Sequence, residues 1–230
     1  MENAAHNLLN KTLSTGWNVI ELIKSQPGST GSFFSVCYKV EKEGEICFLK
    51  AFDFGSFFNV SRQSGENKGI IDIMADMINA YKYEKDLSNL CKNNYATKVA
   101  FVKDFGEENV TGYTIPIVPY LIFDLADGDV RNKLKFTDRL DTSWKLKSLH
   151  SIAVGLRQLH NIDVSHQDLK PSNILVFNEE SKIGDIGRSL SLNMKSPYDE
   201  TPFNGDWNYA PPESLYGYYI PEWKKRVFAT

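Results

Sequence analysis

The spacing of apolar and polar positions changes twice along the 230-residue chain. In segments 17–23, 33–40 and 46–52, β-branched and aromatic residues come in short runs. Pro27-Gly28-Ser29-Thr30-Gly31 interrupts the first two, and Glu43-Gly44 separates the last two. Short runs bounded by turn residues predict three antiparallel strands. Near Gly69 the period lengthens. Ile70, Ile71, Met74, Met77, Ile78, Tyr81, Leu87 and Leu90 recur at helical spacing and predict one long amphipathic helix. Segments 99–105 and 120–125 return to strand character. From Thr142, the residues Leu146, Leu149, Ile152, Ala153, Leu156 and Leu159 mark the apolar face of a second helix, capped by a Thr or Ser. Short strands follow at 174–177 and 182–186 around the turn residues 178–181, and the Pro-, Gly-, Asn- and Tyr-rich remainder reads as a long loop. Strands first and helices later predict an α+β arrangement in place of a doubly wound sheet.

Composition narrows the class. Apolar residues at 42 % and charged residues at 24 % are ordinary globular usage, which argues against disorder. Lys and Arg number 26 against 29 Asp and Glu, a net charge of −3, so no field attracts nucleic acid or an anionic membrane. The most apolar stretch, 115–125, is far short of a bilayer span and contains Pro116 and Pro119. Cys37, Cys47 and Cys91 form no CxxC pair and read as small hydrophobes in a reducing compartment. A soluble, cytoplasmic protein without a signal peptide is the expectation.

Candidate chemistry concentrates in His166-Gln167-Asp168-Leu169-Lys170-Pro171-Ser172-Asn173, with Asp185-Ile186-Gly187 twelve residues beyond Asn173. A carboxylate, an ammonium and an amide within six residues can converge on one point, and a carboxylate after the paired strand can join them. That set suits phosphoryl transfer: one Asp takes a hydroxyl proton while an amide and a second Asp offer hard oxygens to Mg²⁺. A polar loop with a solvated charge pair is the plainer alternative for any one of these residues.

Three motifs in this order resemble the protein kinase family: HQDLKPSN its catalytic loop, Asp185-Ile186-Gly187 its metal-binding DFG, and Tyr209-Ala210-Pro211-Pro212-Glu213 its APE segment. The resemblance covers about 17–213 and implies a two-lobed fold with a small antiparallel-sheet N-lobe and a mainly helical C-lobe. The implied division is an N-terminal extension at 1–16, an N-lobe at 17–124 and an incomplete C-lobe at 125–230. By the same resemblance Asp168 is the base, Lys170 contacts the γ-phosphate, and Asn173 and Asp185 bind Mg²⁺. The lysine after the base follows the serine/threonine pattern, so ATP, Mg²⁺ and a protein substrate are implied. Lys50 resembles the lysine that grips the α- and β-phosphates, with Glu84 as its helix partner and Glu66 as the rival. Gly31 is the glycine in register with the glycine-rich loop. Phe123 stands as gatekeeper, the backbone groups of Asp124 and Ala126 face the adenine edge, and Val36 and Leu175 sandwich its ring.

Several positions depart from the family. Gln167 replaces the arginine of HRD, which predicts activity independent of loop phosphorylation, with Thr201 as the position to test. Phe48, two residues before Lys50, stands where the family prefers alanine and is expected to crowd the adenine. Thr230 falls seventeen residues after Glu213, before the helices that usually complete the large lobe, so Val227, Phe228 and the apolar face of the 144–160 helix are expected to need cover from a partner or a further segment. Besides a protein serine/threonine kinase, the sequence leaves open a non-catalytic kinase-like binding module and, with less support, a small-molecule phosphotransferase.

Overall fold

The structure is a computed structural model and describes residues 3–24, 34–63, 69–135, 141–201, 203–216, 218 and 222–228. The chain divides into two compact units, Met1–Lys85 with Val102–Leu125 and Asp86–Phe101 with Ala126–Thr230.

The first unit is built on strands β1 (Asn18–Ile23), β2 (Ser35–Lys42) and β3 (Glu45–Phe52), helices α1 (Phe54–Gln63) and α2 (Ile70–Asn93, of which residues to 85 belong here), and strands β4 (Asp104–Asn109) and β5 (Ile117–Asp124). The strands form one sheet in the order β1-β2-β3-β5-β4, and each neighbouring pair is antiparallel. The register sets Lys50 between Cys37 on β2 and Leu121 on β5. One core cluster includes Val19, Tyr38, Val40, Leu49, Ala51, Val118, Tyr120 and Ile122. Ala4, Ala5, Leu8 and Leu13 are buried in that same cluster, so the segment ahead of Trp17 packs into the sheet's core. The Tyr38 hydroxyl donates to the Ala5 carbonyl at 2.8 Å. The Asn3 side-chain amide donates to Ser56 Oγ at 3.0 Å and to Asp53 Oδ2 at 3.3 Å.

Residues 99–105 were expected as a strand, yet β4 begins at Asp104 and Val99 makes only an isolated bridge to Ile183. Every second residue of β4 is exposed, as befits the polar edge strand that its composition disguises. Helix α1 fills the stretch between β3 and α2, for which no element was predicted from sequence. Asp53 caps its start, accepting from the Ser56 N–H at 3.0 Å.

The second unit contains β6 (Gly128–Asp129), α3 (Val130–Lys135), α4 (Thr142–Asn161), β7 (Val164–Ser165), β8 (Ile174–Phe177), β9 (Glu180–Ile183), β10 (Leu190–Ser191), α5 (Pro212–Leu215) and α6 (Trp223–Phe228). β6, β8 and β9 form a three-stranded antiparallel sheet, and β7 pairs with β10. The cap of α4 is Asp141, whose side chain accepts from the Ser143 N–H, in place of the expected Thr or Ser. Its buried face is also rotated from expectation. Trp144, Ser148, Ser151, Gly155 and Leu159 are buried, whereas Leu146 and Leu149 are 62 % and 63 % exposed. Small residues bring the helix close to β9, where the Ser148 and Ser181 hydroxyls bond at 2.8 Å. Among the described residues, no helix is long and apolar enough to cross a membrane.

Candidate active site

Lys50 and Glu84 meet in the first unit. Alternation along β3 puts Phe48 and Lys50 on one face. The Lys50 ammonium donates to both carboxylate oxygens of Glu84, at 2.8 and 2.9 Å, and stands 5.6 Å from the centre of the Phe52 ring. Glu84, on α2, is buried. The rival Glu66 lies outside the described residues, as does Gly31. Phe48 opposes Phe123 across β3 and β5, their ring centres 6.3 Å apart. Val36 is buried opposite Ala51. Asp124 ends β5 opposite Cys47, and its carboxylate is 61 % exposed and 3.5 Å from Lys103 Nζ.

The second unit holds the densest polar cluster. β7 leads into His166, which is fully buried. Its Nε2 lies 2.9 Å from the Gly184 carbonyl, and its Nδ1 is 3.3 Å from the Asp168 N–H. A carbonyl only accepts and an amide only donates, so the bonding assigns a neutral ring with the proton on Nε2. Burial pushes the His166 pKa below its ordinary value, in agreement with that tautomer, while the nearby Asp185 and Asp168 carboxylates oppose the shift.

Asp168 is buried and gathers donors. Its Oδ2 accepts from Lys170 Nζ at 3.0 Å and from Asn173 Nδ2 at 3.2 Å, and its backbone carbonyl also accepts from Asn173 Nδ2, at 2.9 Å. The sharp bend that closes the loop is the 3₁₀ turn Pro171–Asn173, with proline in its first turn. Because the Asn173 NH₂ faces Asp168, the Oδ1 of the same planar amide points away from it. The Gly184 N–H donates to the Asn173 carbonyl at 2.7 Å, which fastens the residue before Asp185 to the loop. A Cβ at Gly184 would lie 2.7 Å from Leu175 Cδ1, so a side chain there would collide with β8. Asp185 itself is half-buried in a left-handed conformation, φ 54° and ψ 55°. Asp168, Lys170 and Asn173 are thus in direct contact, with Asp185 one residue from the strap that joins Gly184 to them. Ala126 is half-buried ahead of β6.

Two features were not foreseen from sequence. Gln167, with φ 64°, donates to Ser165 Oγ at 2.6 Å and to the Arg226 carbonyl on α6 at 3.1 Å. Asp206 contacts both Asp168 and Lys170. Only the Asp-x-Asn spacing of Asp206 and Asn208 hints at its capping role.

The donor set fits a hard divalent cation, since Asn173 and Asp185 offer an amide and a carboxylate oxygen. Similarity to known proteins agrees. A protein kinase domain model matches residues 80–225, more than half of the chain. Mitogen-activated protein kinase 2 of Arabidopsis thaliana is 29 % identical over 174 residues, 72 % of this chain and 45 % of that protein. Mitogen-activated protein kinase 4 of Oryza sativa subsp. japonica is 33 % identical over 110 residues, 45 % of this chain and 30 % of its own length. Receptor-interacting serine/threonine-protein kinase 2 of Bos taurus is 38 % identical over 96 residues, 38 % of this chain and 17 % of that kinase. In each case the chain spans less than half of the relative's length. The α+β architecture, the ordered motifs and these matches agree: the chain belongs to the protein kinase family.

Proposed function

We propose that this chain transfers phosphoryl groups from ATP, with Mg²⁺, to serine or threonine hydroxyls of protein substrates. The observation that carries the reading is the buried contact of Asp168 with Lys170 and Asn173. Bound ATP with Mg²⁺ supplies the transferable γ-phosphoryl group and neutralises part of its charge. Asn173 Oδ1 and the Asp185 carboxylate would hold the cation. Asp168 orients the acceptor hydroxyl and takes its proton, and Lys170 sets a positive charge beside the moving group. Lys50, held by Glu84, would bind the α- and β-phosphates, as the family resemblance implies. The lysine-proline step at Lys170-Pro171, the APE-like Pro211-Pro212-Glu213 and the names of the relatives favour a protein substrate and serine/threonine specificity.

Three cysteines with no CxxC pair suit action in the cytoplasm. Exposed Leu146 and Leu149 suit cover by a partner or a further segment of chain. A second reading, a kinase-like module that binds without transfer, draws on the Phe48 and Phe123 rings at the expected adenine face. The test is phosphorylation of a generic protein substrate by the purified chain with Mg²⁺ and ATP, beside Asp185→Ala. Transfer by the first alone supports the enzyme. Equal, negligible transfer by two folded proteins overturns it in favour of the binding module.

A further inference from the structure

Segment 203–209 is built against the loop that carries Asp168, and Asp206 is its point of attachment. The Asp206 backbone N–H donates to Asp168 Oδ1 at 2.8 Å. Its own carboxylate turns two ways. Oδ1 accepts from the Asn208 N–H at 3.0 Å and from the Asn208 side-chain amide at 2.9 Å, while Oδ2 stands 3.7 Å from Lys170 Nζ. The Asp206 side chain is only 10 % exposed, beside 3 % for both Lys170 and Asp168. Neighbouring residues hold the segment in place. The Arg188 guanidinium donates to the Asn204 carbonyl at 3.0 Å. At Gly205 a Cβ would come within 2.4 Å of the Gln167 carbonyl oxygen, so the segment approaches this closely only with glycine there.

These contacts complete the surroundings of Asp168. Lys170 and Asn173 both engage Oδ2, which leaves rotation of the carboxylate to be fixed through Oδ1, and the Asp206 N–H is on that atom. Lys170 in turn lies between two carboxylates, so its ammonium is drawn from both sides. Capping of the short turn Trp207–Tyr209 accounts for the Asn208 bonds. It accounts neither for the N–H on Asp168 nor for the approach to Lys170.

We propose that Asp206 is a positioning residue for phosphoryl transfer, setting the rotation of Asp168 through its N–H and the place of Lys170 through its carboxylate. The rate consequence rests on the phosphoryl-transfer reading above, whereas the hydrogen bond to Asp168 is measurable without it. Full-length Asp206→Ala loses the anchor on Asn208 and the contact with Lys170, and kcat is expected to fall about tenfold with KM for ATP unchanged. Asp206→Asn keeps an oxygen for the Asn208 N–H and is expected to recover kcat to within about threefold of the parent. By NMR, the Asp206 amide proton lies downfield while it donates to a carboxylate, and Asp168→Asn, with a neutral acceptor, moves it upfield. A loss confined to KM, an Asp206→Asn variant no better than Asp206→Ala, or an amide signal indifferent to Asp168→Asn overturns the proposal. If the parent transfers no more phosphate than Asp185→Ala, the phosphoryl-transfer reading fails, and the amide signal alone then decides whether Asp206 holds Asp168.

Discussion

Lys50→Met is expected to cost more stability than Glu84→Gln, because the two partners of this ion pair are unequally buried. The ammonium lies 2.8 and 2.9 Å from the two carboxylate oxygens, and the side chains are 18 % exposed for Lys50 and 6 % for Glu84. At an effective dielectric of about 20, such a contact is worth roughly 6 kcal/mol before desolvation is subtracted. Desolvation of both groups cancels most of that gain, so the measurable effect is the charge left behind when one partner is removed. Lys50→Met leaves a carboxylate with little access to water, for which about 3–5 kcal/mol is expected. Glu84→Gln leaves an ammonium on a flexible stem that can bring it to solvent, for which about 1–2 kcal/mol is expected. The double variant Lys50→Met/Glu84→Leu removes both desolvation costs and is expected within about 1.5 kcal/mol of the parent. Urea unfolding at neutral pH, followed by tryptophan fluorescence, measures all three. A Lys50→Met loss no larger than that of Glu84→Gln, or a double variant as unstable as Lys50→Met, refutes the reasoning. Loss of transfer in Lys50→Met would therefore report the folded fraction as well as phosphate binding.

Three other outcomes can be checked. Leu159→Ala, at a fully buried position, should lose about 2–5 kcal/mol, whereas Leu149→Ala, at a position 63 % exposed, should stay within about 0.5 kcal/mol by urea midpoint. Burial lowers the His166 pKa in the folded state, so on acidification the unfolded chain takes up this proton first. Stability from this group is fully present above about pH 6.5 and falls below it, by up to about 1.4 kcal/mol per pH unit, until the folded-state pKa is passed. His166→Gln should flatten that slope in melts between about pH 6.5 and 5, with His160→Gln as the control for the other histidine lowered by burial. Phe48→Ala should tighten Mg²⁺-ATP binding several-fold by calorimetry if the ring crowds the base, and unchanged or weaker binding would exclude crowding.

The sequence made some of this legible and hid the rest for physical reasons. Short β-branched and aromatic runs between turn residues placed β2 and β3, and helical spacing placed α2 and α4, because both signals are local. The orientation of α4 escaped because hydrophobicity selects Leu146 and Leu149, whereas close packing on β9 selects Ser148, Ser151 and Gly155. The Asp-Phe-Gly-Glu-Glu-Asn run of β4 looks like a loop until its pairing with β5 is seen. Helix α1 is rich in Phe, Ser, Gly and Asn, which weakens any propensity signal, and its cap at Asp53 is held partly by the distant Asn3. In the site, His166 to Asn173 stood out because the residues are consecutive. The part played by Asp206 depends on chain 38 residues away folding back onto Asp168, and no local pattern encodes that approach.

The burial of Ala4, Ala5, Leu8 and Leu13 has a practical consequence for anyone preparing this protein. A recombinant boundary drawn at Trp17, where β-like sequence starts, would open a hole under the sheet. One drawn at residue 80, where the family match starts, would delete β1, β2 and β3 outright, together with Lys50. Affinity tags therefore belong behind a spacer ahead of Asn3, and trimming proteases should find residues 4–13 resistant for as long as the sheet holds together.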